Sequence, residues 1–246
     1  VMLDDSKFEF PEDLDNLILC DPRLGMTDSV VAKLRSWLME YKIHPSSILE
    51  VRLENCVDSI QKMILEYPDS KCAILNMASY TSAGGGVIQG AQAQEEFLCR
   101  ISNMFPALVR AKWELGWYPL KQGFYLHDVI FFRDRNYQLL DQPFKSDVIV
   151  VSAPKFRARY EQLTDDQYRE IRARIIHLLE LCLPFDCLVL GAFGCGAYNN
   201  PPEIVAEIFR TLLYDEGWIH FFKHIVFAII EDHNSRHLNY NTFKQI

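Results

Sequence analysis

One short stretch of the chain combines three consecutive glycines with two adjacent glutamates. Gly84-Gly85-Gly86 is followed, after seven residues, by Gln94-Glu95-Glu96. Three glycines permit positive φ and let the main chain lie against a ligand without side-chain interference. Two carboxyl groups can protonate a leaving oxygen and bind sugar hydroxyls, which are the tasks of glycoside hydrolysis. Each feature also has an ordinary explanation, because glycines form flexible turns and glutamates favour the first turn of a helix.

Glu95 and Glu96 are predicted to have different roles. Adjacent residues of a helix point about 100° apart, so the two carboxylates cannot both flank one bond as paired glycosidase carboxylates do. One would act as a general acid on a leaving oxygen, while the other binds sugar hydroxyls and water attacks the oxocarbenium-like centre. The spacing does not say which glutamate has which role.

A second glycine-rich segment, from Gly191 to Asn200, lies between the predicted strand Leu188-Val189-Leu190 and a predicted helix. A strand, a glycine-rich turn and a helix N-terminus together can cradle phosphate oxygens, although a simple tight turn is the alternative. The segment has no P-loop lysine, and a dinucleotide fingerprint fits poorly because no acidic residue follows about 20 positions on at a strand end. Two such loops at the ends of neighbouring strands indicate a pyrophosphate site.

Short apolar runs alternate with longer amphipathic ones, which predicts an α/β fold with helices on both faces of a sheet. The predicted strands are Ile48–Asn55, Cys72–Ala78, Asp128–Arg133, Asp147–Ala153, Leu188–Phe193 and Ile225–Ile230. The predicted helices are Asp28–Tyr41, Val57–Tyr67, Gln94–Leu115, Asp165–Leu183 and Glu203–Tyr214. We expect one domain over residues 1–246, with 1–46 as an N-terminal arm and helix, because the interior contains no repeat and no linker-like tract.

Three sequence features predict where helices begin or end. Thr164 and Gln167 fit a capping box at the start of one helix. Asn200 precedes two prolines and a glutamate, which is typical of an N-cap followed by a first turn. Pro106 should kink or end the helix that contains the two glutamates.

The composition indicates an intracellular protein that is not held to nucleic acid by charge. With 25 basic and 33 acidic residues the net charge is -8, so a broad grip on a phosphate backbone, and hence sequence-specific nucleic-acid binding, is not expected. Seven scattered cysteines suit reduced thiols better than a disulfide framework. No apolar run approaches the roughly 18 residues of a membrane span, and no secretory signal begins the sequence, so we expect a cytoplasmic location, or a nuclear one in a eukaryotic host.

Other residues with possible chemistry have weaker patterns. The pairs His220/His224 and His233/His237 have the spacing of metal ligands on a helix, but an HExxH motif and a third ligand are missing, so no metal site is predicted. Cys195 could be a thiol nucleophile, but burial as a small apolar residue is the favoured interpretation. Trp113 and Trp117 are predicted to be core or staple residues.

The glycine and glutamate signature, Gly84-Gly85-Gly86 to Gln94-Glu95-Glu96, resembles that of the poly(ADP-ribose) glycohydrolases, and its surroundings resemble their compact bacterial type. The likeness extends over roughly residues 47–232 and includes the second glycine loop. It implies a macrodomain fold, a three-layer α/β/α arrangement around a mixed sheet. It also implies cleavage of the ribose–ribose O-glycosidic bond of poly(ADP-ribose), with ADP-ribose as product and without a cofactor or metal.

The resemblance also implies roles for single residues. Glu96 would be the general acid that protonates the glycosidic oxygen, and Glu95 would hold ribose hydroxyls. The ADP-ribose contacts would come from Asn76 beside the distal ribose, from the signature and from the second loop, with Asn55 a candidate at the adenine end. These residues are Asn55, Asn76, Gly85, Gly86, Val87, Gln94, Gly194, Cys195, Gly196, Ala197 and Tyr198.

This chain departs from the family pattern at two positions. Ala83 stands where the family usually has a proline, which alters loop stiffness, and Ser79 stands where it has a second asparagine, which weakens a ligand contact. The minimal form of the family implies work mainly at polymer ends, and we expect a monomer. Two alternatives remain open: removal of single ADP-ribose units from proteins or other acceptors, and ADP-ribose binding without catalysis.

Overall fold

A computed structural model of the protein describes residues 44–116, 118, 122–156, 163–231 and 238–246. The predicted helix Asp28–Tyr41 and almost all of the predicted arm lie outside these residues. The strands of the described part are β1 (Ile48–Arg52), β2 (Cys72–Met77), β3 (Phe124–Arg133), β4 (Leu139–Val151), β5 (Cys187–Leu190) and β6 (His224–Ala228). Its α-helices are α1 (Cys56–Glu66), α2 (Gln94–Ile101), α3 (Met104–Leu115), α4 (Asp165–Cys182), α5 (Pro202–Arg210) and α6 (Asn239–Phe243).

The strands form one mixed sheet in the order β1-β6-β5-β2-β4-β3. Neighbouring strands are parallel except for the β3 and β4 pair, which is antiparallel. The six predicted strands are all present, but β3 begins at Phe124 instead of Asp128, and β4 begins at Leu139 instead of Asp147. The extra length of β4 is mostly exposed and polar, so it lacks the apolar run by which buried strands are recognised.

Two apolar cores cover the two faces of the sheet. Alternate side chains of β2 point to opposite faces, so Ala73 and Leu75 enter one core while Cys72 and Ile74 enter the other. Helices α4, α5 and α6 contribute to the first core, and α1, α2 and α3 contribute to the second. The predicted α/β class and the three-layer, macrodomain-like arrangement are confirmed.

The helix ends confirm one capping prediction and correct another. Thr164 and Gln167 form the predicted capping box, in which the main-chain amide of Gln167 donates to Thr164 Oγ1 over 3.3 Å. The prediction for Asn200 is wrong, because α5 begins at Pro202 with Pro201 as its N-cap. Asn200 is buried instead, and its amide donates to Pro154 and Gly194 carbonyls over 2.8 and 3.0 Å. The Asn200 side chain therefore joins two loops instead of capping the helix.

The predicted helix Gln94–Leu115 is divided into α2 and α3. The break falls at Ser102, whose hydroxyl donates to Leu98 O and accepts from the Met104 amide. Pro106 lies in the first turn of α3, so its predicted interruption of the helix is confirmed. Trp113 was expected in the core, but its side chain is 89% exposed, so that prediction is wrong. Trp117 lies outside the described residues.

The sheet places the two glycine-rich loops beside one another. The parallel strands β2 and β5 are neighbours, so their carboxyl ends lie at the same edge. The helix after β2 packs on one face of the sheet, and the helix after β5 packs on the other. Because the chain leaves these strands in opposite directions, a crevice opens between them, at the position where α/β proteins bind ligands.

Candidate active site

The first glycine loop is a series of tight turns. The amide of Gly85 donates to Ser82 O over 2.8 Å, and that of Val87 donates to Gly84 O over 3.1 Å. The guanidinium of Arg100, on α2, donates to the carbonyls of Val87 and Ala91 over 3.2 and 2.5 Å. These amides are already engaged, so the predicted ligand contacts of Gly85 and Val87 would involve main-chain surface rather than N–H donation.

Gln94 ties the start of α2 to the end of β2. Its side-chain carbonyl accepts from the Met77 amide over 2.7 Å, and its amide donates to Leu75 O over 2.6 Å. A further contact joins Nε2 to Cys56 Sγ over 3.5 Å. Both ends of the side chain are therefore bound to the protein, and the ligand contact expected of Gln94 stays a prediction. In this structure, Gln94 fixes the next two residues relative to the sheet.

The Glu95 carboxylate is buried and receives donors on both oxygens. Its side chain is 3% exposed. Oε1 accepts from Asn76 Nδ2 over 3.3 Å and from the Tyr118 hydroxyl, and Oε2 accepts from the Ser79 amide over 2.6 Å. Burial raises the pKa of Glu95 to about 7, although the bonds from Tyr118, Ser79 and Asn76 act in the opposite direction. The group is therefore poised to titrate near neutral pH.

Glu96 has a different environment from its neighbour. Its Oε1 accepts from the Gly86 amide over 2.8 Å, whereas its buried Oε2 has no hydrogen-bond partner in the described part of the chain. Asn76 is similar, because its Oδ1 is buried and unbonded within the same residues. Two buried oxygens are thus left for groups that the described residues do not supply.

Gly85 brings the two carboxylates to one place. Its φ is +57°, and a Cβ atom added there would lie 2.2 Å from Glu96 Oε1 and 3.2 Å from Glu95 Oε2. Only glycine fits, because the backbone conformation and the space both exclude a side chain. The two carboxylates therefore approach the same point of the loop, closer together than their helical directions suggest. Their donors differ, as expected from different roles.

The second glycine loop turns at Gly194, where φ is +75° and an added Cβ would lie 2.4 Å from Asn200 Nδ2. The Cys195 amide donates to Ala192 O over 3.0 Å, so it is already used within the turn. The amides of Gly196 and Ala197 have no protein acceptor among the described residues. These two amides fit the predicted diphosphate contacts better than that of Cys195.

Tyr198 links the two loops. Its hydroxyl accepts from the Tyr80 amide over 2.5 Å and donates to Ala78 O over 3.4 Å. Lys155, on the loop after β4, places its ammonium 5.5 Å from the centre of the Tyr198 ring. The Phe156 amide donates to Tyr198 O over 3.0 Å, so the loop after β4 joins the same site. The structure therefore adds a third loop to the two that the glycines indicated.

Other candidates from the sequence lie elsewhere or do not form the predicted arrangement. Asn55 is the N-cap of α1, where its Oδ1 accepts from two amides, and its adenine contact stays a prediction. Cys195 is fully buried in the apolar core, which agrees with its favoured interpretation. His220 lies in a 3₁₀ turn and His224 in β6, so they do not share a helix face. His233 and His237 fall outside the described residues.

The described residues show neither a metal-binding cluster nor a membrane-spanning helix. No cluster of three or more histidine, cysteine or acidic side chains could hold a metal ion there. None of the described helices combines the length and the apolarity that crossing a bilayer requires.

No motif in the sequence points to Tyr118, which comes after α3, 23 positions after the glutamate to which its hydroxyl donates. Its side chain is 2% exposed, and its ring packs edge-on against Phe124 at a centroid distance of 6.3 Å. Burial, followed by the nearby Glu95, raises the pKa of Tyr118 well above its usual range. Its hydroxyl is therefore a hydrogen-bond donor at all ordinary pH values.

A mixed sheet lies between two layers of helices, and two glycine-rich loops meet at the carboxyl ends of its strands. These features define a macrodomain-like protein. Comparison with known proteins is more specific. The model for the catalytic domain of microbial-type poly(ADP-ribose) glycohydrolase matches residues 27–134. A poly(ADP-ribose) glycohydrolase from Deinococcus radiodurans, solved with ADP-ribose, is 30% identical, with 94% of each chain covered and a TM-score of 0.75.

A second solved relative is the poly(ADP-ribose) glycohydrolase of Thermomonospora curvata, bound to the inhibitor ADP-HPD. It is 28% identical, with a TM-score of 0.74, and the match covers 94% of this chain and 85% of that one. A comparison with curated protein sequences found no significant match. The chain belongs to the family of microbial-type poly(ADP-ribose) glycohydrolases.

Proposed function

We propose that this protein hydrolyses the ribose–ribose O-glycosidic bond of poly(ADP-ribose), mainly from chain ends, and releases ADP-ribose. The observation that carries the proposal is the pair of buried carboxyl groups, Glu95 and Glu96, held against Gly85 in the crevice between β2 and β5. A protein that only bound an anionic ligand would gain nothing from two carboxylates beside it. A hydrolase requires them.

Glu96 is assigned the role of general acid. Its Oε1 is fixed by the Gly86 amide, and its Oε2 has no bond to any described residue. A proton on Oε2 can therefore pass to the glycosidic oxygen, which leaves with it as the carbon–oxygen bond breaks. Water then adds to the oxocarbenium-like carbon and returns a proton to the Glu96 carboxylate, which restores the acid.

Glu95 and Asn76 are assigned to the ribose. A carboxylate can accept about four hydrogen bonds, and Glu95 receives three from the protein. One acceptor position of the Glu95 carboxylate therefore remains for a ribose hydroxyl. Asn76 Oδ1, buried and unbonded in the described structure, can accept from a second hydroxyl. These contacts would orient the sugar relative to Glu96.

The diphosphate is assigned to the second glycine loop. The amides of Gly196 and Ala197 have no acceptor among the described residues and belong to the loop after β5, beside the glycine loop after β2. Tyr198 presents its ring beside the Lys155 ammonium, so the ligand would meet an aromatic face next to a positive charge. Main-chain amides can hold phosphate oxygens without a cluster of basic residues, which suits a chain of net charge -8.

A direct test incubates the protein with labelled poly(ADP-ribose) and measures released ADP-ribose. We expect release by the wild type and a loss of about 10²–10⁴-fold in rate for Glu96→Gln, as for removal of a general acid. Glu114→Gln, at the exposed end of α3, is the matched control and should retain wild-type activity. A wild type that releases no ADP-ribose, or a fully active Glu96→Gln, contradicts the proposal.

The same assay distinguishes the alternatives and the mode of cleavage. Attack at chain ends gives free ADP-ribose from the earliest times, whereas internal cleavage first gives shorter polymers. Removal of single ADP-ribose units from a modified protein, without any polymer cleavage, would favour the second substrate class. Binding of ADP-ribose in calorimetry without turnover of either substrate would identify a binding module.

We also propose that the protein is a monomer and acts inside the cell. The six cysteines of the described residues are all buried, and none of them is in a disulfide, which is usual in a reducing compartment. Light scattering at several concentrations tests the first statement, and a constant mass of about one chain is expected. Fractionation of the host cells tests the second.

A further inference from the structure

We propose that Tyr118 is a positioning residue of the active site, whose buried hydroxyl completes the set of donors that holds Glu95 as a carboxylate facing the ribose. The proposal rests on the function proposed above. It assigns a role to a residue that the glycine and glutamate signature does not contain.

The hydrogen-bond donors around Glu95 favour its ionised form and oppose the effect of burial. The Ser79 main-chain amide and the Asn76 side-chain amide can only donate, and they reach opposite oxygens of the carboxyl group. The Tyr118 hydroxyl adds a third donor on the oxygen that Asn76 already contacts. A carboxylate accepts all three bonds, whereas a protonated carboxyl group places its own hydrogen among them.

Without these donors, burial would favour the neutral acid. Glu95 and Tyr118 are 3% and 2% exposed, so water cannot replace a lost hydrogen bond at either side chain. Apart from Tyr118, the titratable groups around Glu95 do not favour its charge. They are Glu96 and Cys99 on α2 and Tyr198 on the loop after β5. The three donors are therefore what allows Glu95 to ionise near neutral pH despite its burial.

Tyr118 is also held in a way that suits this role. Its ring belongs to the core on the side of the sheet that α1, α2 and α3 cover, and it packs edge-on against Phe124. The ring therefore fixes where the hydroxyl lies, and the hydroxyl in turn fixes Glu95. Because the tyrosine comes from the segment after α3, it couples the position of Glu95 to an element outside the glycine loop.

The test compares Tyr118→Phe with Tyr125→Phe across pH 6–9. Tyr125 is a matched control, because it is also buried and its hydroxyl donates to a main-chain carbonyl, Leu181 O, in the opposite core. Loss of a hydrogen bond to a charged group should raise the pH at which Glu95 ionises by about one to two units. We expect the kcat/KM of Tyr118→Phe, relative to wild type, to be about tenfold lower at pH 7 than at pH 9.

A loss of folded enzyme that is equal at pH 7 and pH 9 cancels in this comparison, and circular dichroism of both variants at the two pH values measures the folded fraction. Tyr125→Phe should show the same ratio to wild type at both pH values. An equal loss of kcat/KM for Tyr118→Phe at pH 7 and pH 9 would assign the tyrosine a merely structural role and overturn the proposal. Wild-type kcat/KM at both pH values would overturn it as well.

A binding measurement separates this inference from the proposed function. In the Glu95→Gln background the side chain carries no charge at any pH, so Tyr118→Phe should change the Kd of ADP-ribose by less than about twofold. In the wild-type background the same substitution should weaken binding more at pH 7 than at pH 9. Equal effects in both backgrounds contradict the role of Tyr118, even if the wild type releases no ADP-ribose from polymer.

Discussion

The Tyr198 hydroxyl accepts a hydrogen bond from the Tyr80 main-chain amide over 2.5 Å, across 118 positions of sequence. The bond joins the loop after β2 to the loop after β5, the two loops that define the crevice. One aromatic residue thus has two roles to separate, because its hydroxyl joins the loops while its ring is proposed to contact the ligand.

Tyr198→Phe and Tyr198→Leu separate these two purposes. The phenylalanine variant keeps the ring but leaves the Tyr80 amide without its acceptor, which should cost about 1 kcal/mol of unfolding free energy and weaken ADP-ribose binding about fivefold. The leucine variant also loses the ring and should bind more weakly still. Calorimetry and urea unfolding measure both effects. Identical binding by wild type and Tyr198→Leu would contradict the contact between ring and ligand.

Gly85→Ala should abolish most of the activity, and Gly90→Ala provides the control. Both glycines lie in the same loop with positive φ, at +57° and +84°, so alanine should strain both by roughly 1–2 kcal/mol. An added Cβ at Gly85 collides with Glu96, whereas at Gly90 it meets nothing within 4 Å. Polymer assays should show a loss of at least about 100-fold for Gly85→Ala only. Equal activity of the two variants would show that the collision is unimportant.

Gln94→Leu should reduce stability and activity together. Leucine has a similar size but leaves the Met77 amide and the Leu75 carbonyl without partners, at about 1–3 kcal/mol for each buried group. Gln167→Leu is a control, since that glutamine bonds only within an exposed capping box. It should lose about 1 kcal/mol of unfolding free energy without a change in kcat. A stable and active Gln94→Leu variant would show that the bonds from Gln94 to the end of β2 are not needed for the site.

The stability of the protein should depend on pH through Glu95. Its folded pKa, about 7, lies above the ordinary value of 4.5, so between these pH values the folded state holds a proton that the unfolded state has lost. The contribution of this group to stability is therefore present at low pH and is lost as pH rises through 7.

Glu95→Gln removes this dependence, because glutamine does not titrate. The unfolding free energy of the variant, minus that of wild type, should rise by up to roughly 3 kcal/mol between pH 4.5 and 8. Urea unfolding at several pH values measures this difference. A constant difference over the whole range would mean that Glu95 has the same pKa in both states.

The sequence predicted those parts of the fold that depend on local patterns. Buried parallel strands are short apolar runs, so β2, β5 and β6 were found near their true positions. The capping box at Thr164 was also local and correct. Asn200 was misjudged because its side chain bonds to Pro154, 46 positions away, and no local pattern reports such a partner.

The sequence predicted the part of the site that a single segment forms from main chain and acidic side chains. The glycines and glutamates stand close together in the sequence, so their association was visible. Tyr118 and Lys155 come from other elements and have no motif, and only the fold brings them to Glu95 and Tyr198. Trp113 had helical spacing typical of a core residue, but its position on α3 faces solvent.

The two unbonded oxygens, Glu96 Oε2 and Asn76 Oδ1, have a consequence for inhibitor design. Both are buried, no described residue donates to them, and each can accept a hydrogen bond when Glu96 is ionised. A compound that places one hydroxyl or amine donor at each oxygen would gain two hydrogen bonds that are shielded from water. Such a pair of donors would be a compact starting fragment without any charged phosphate group.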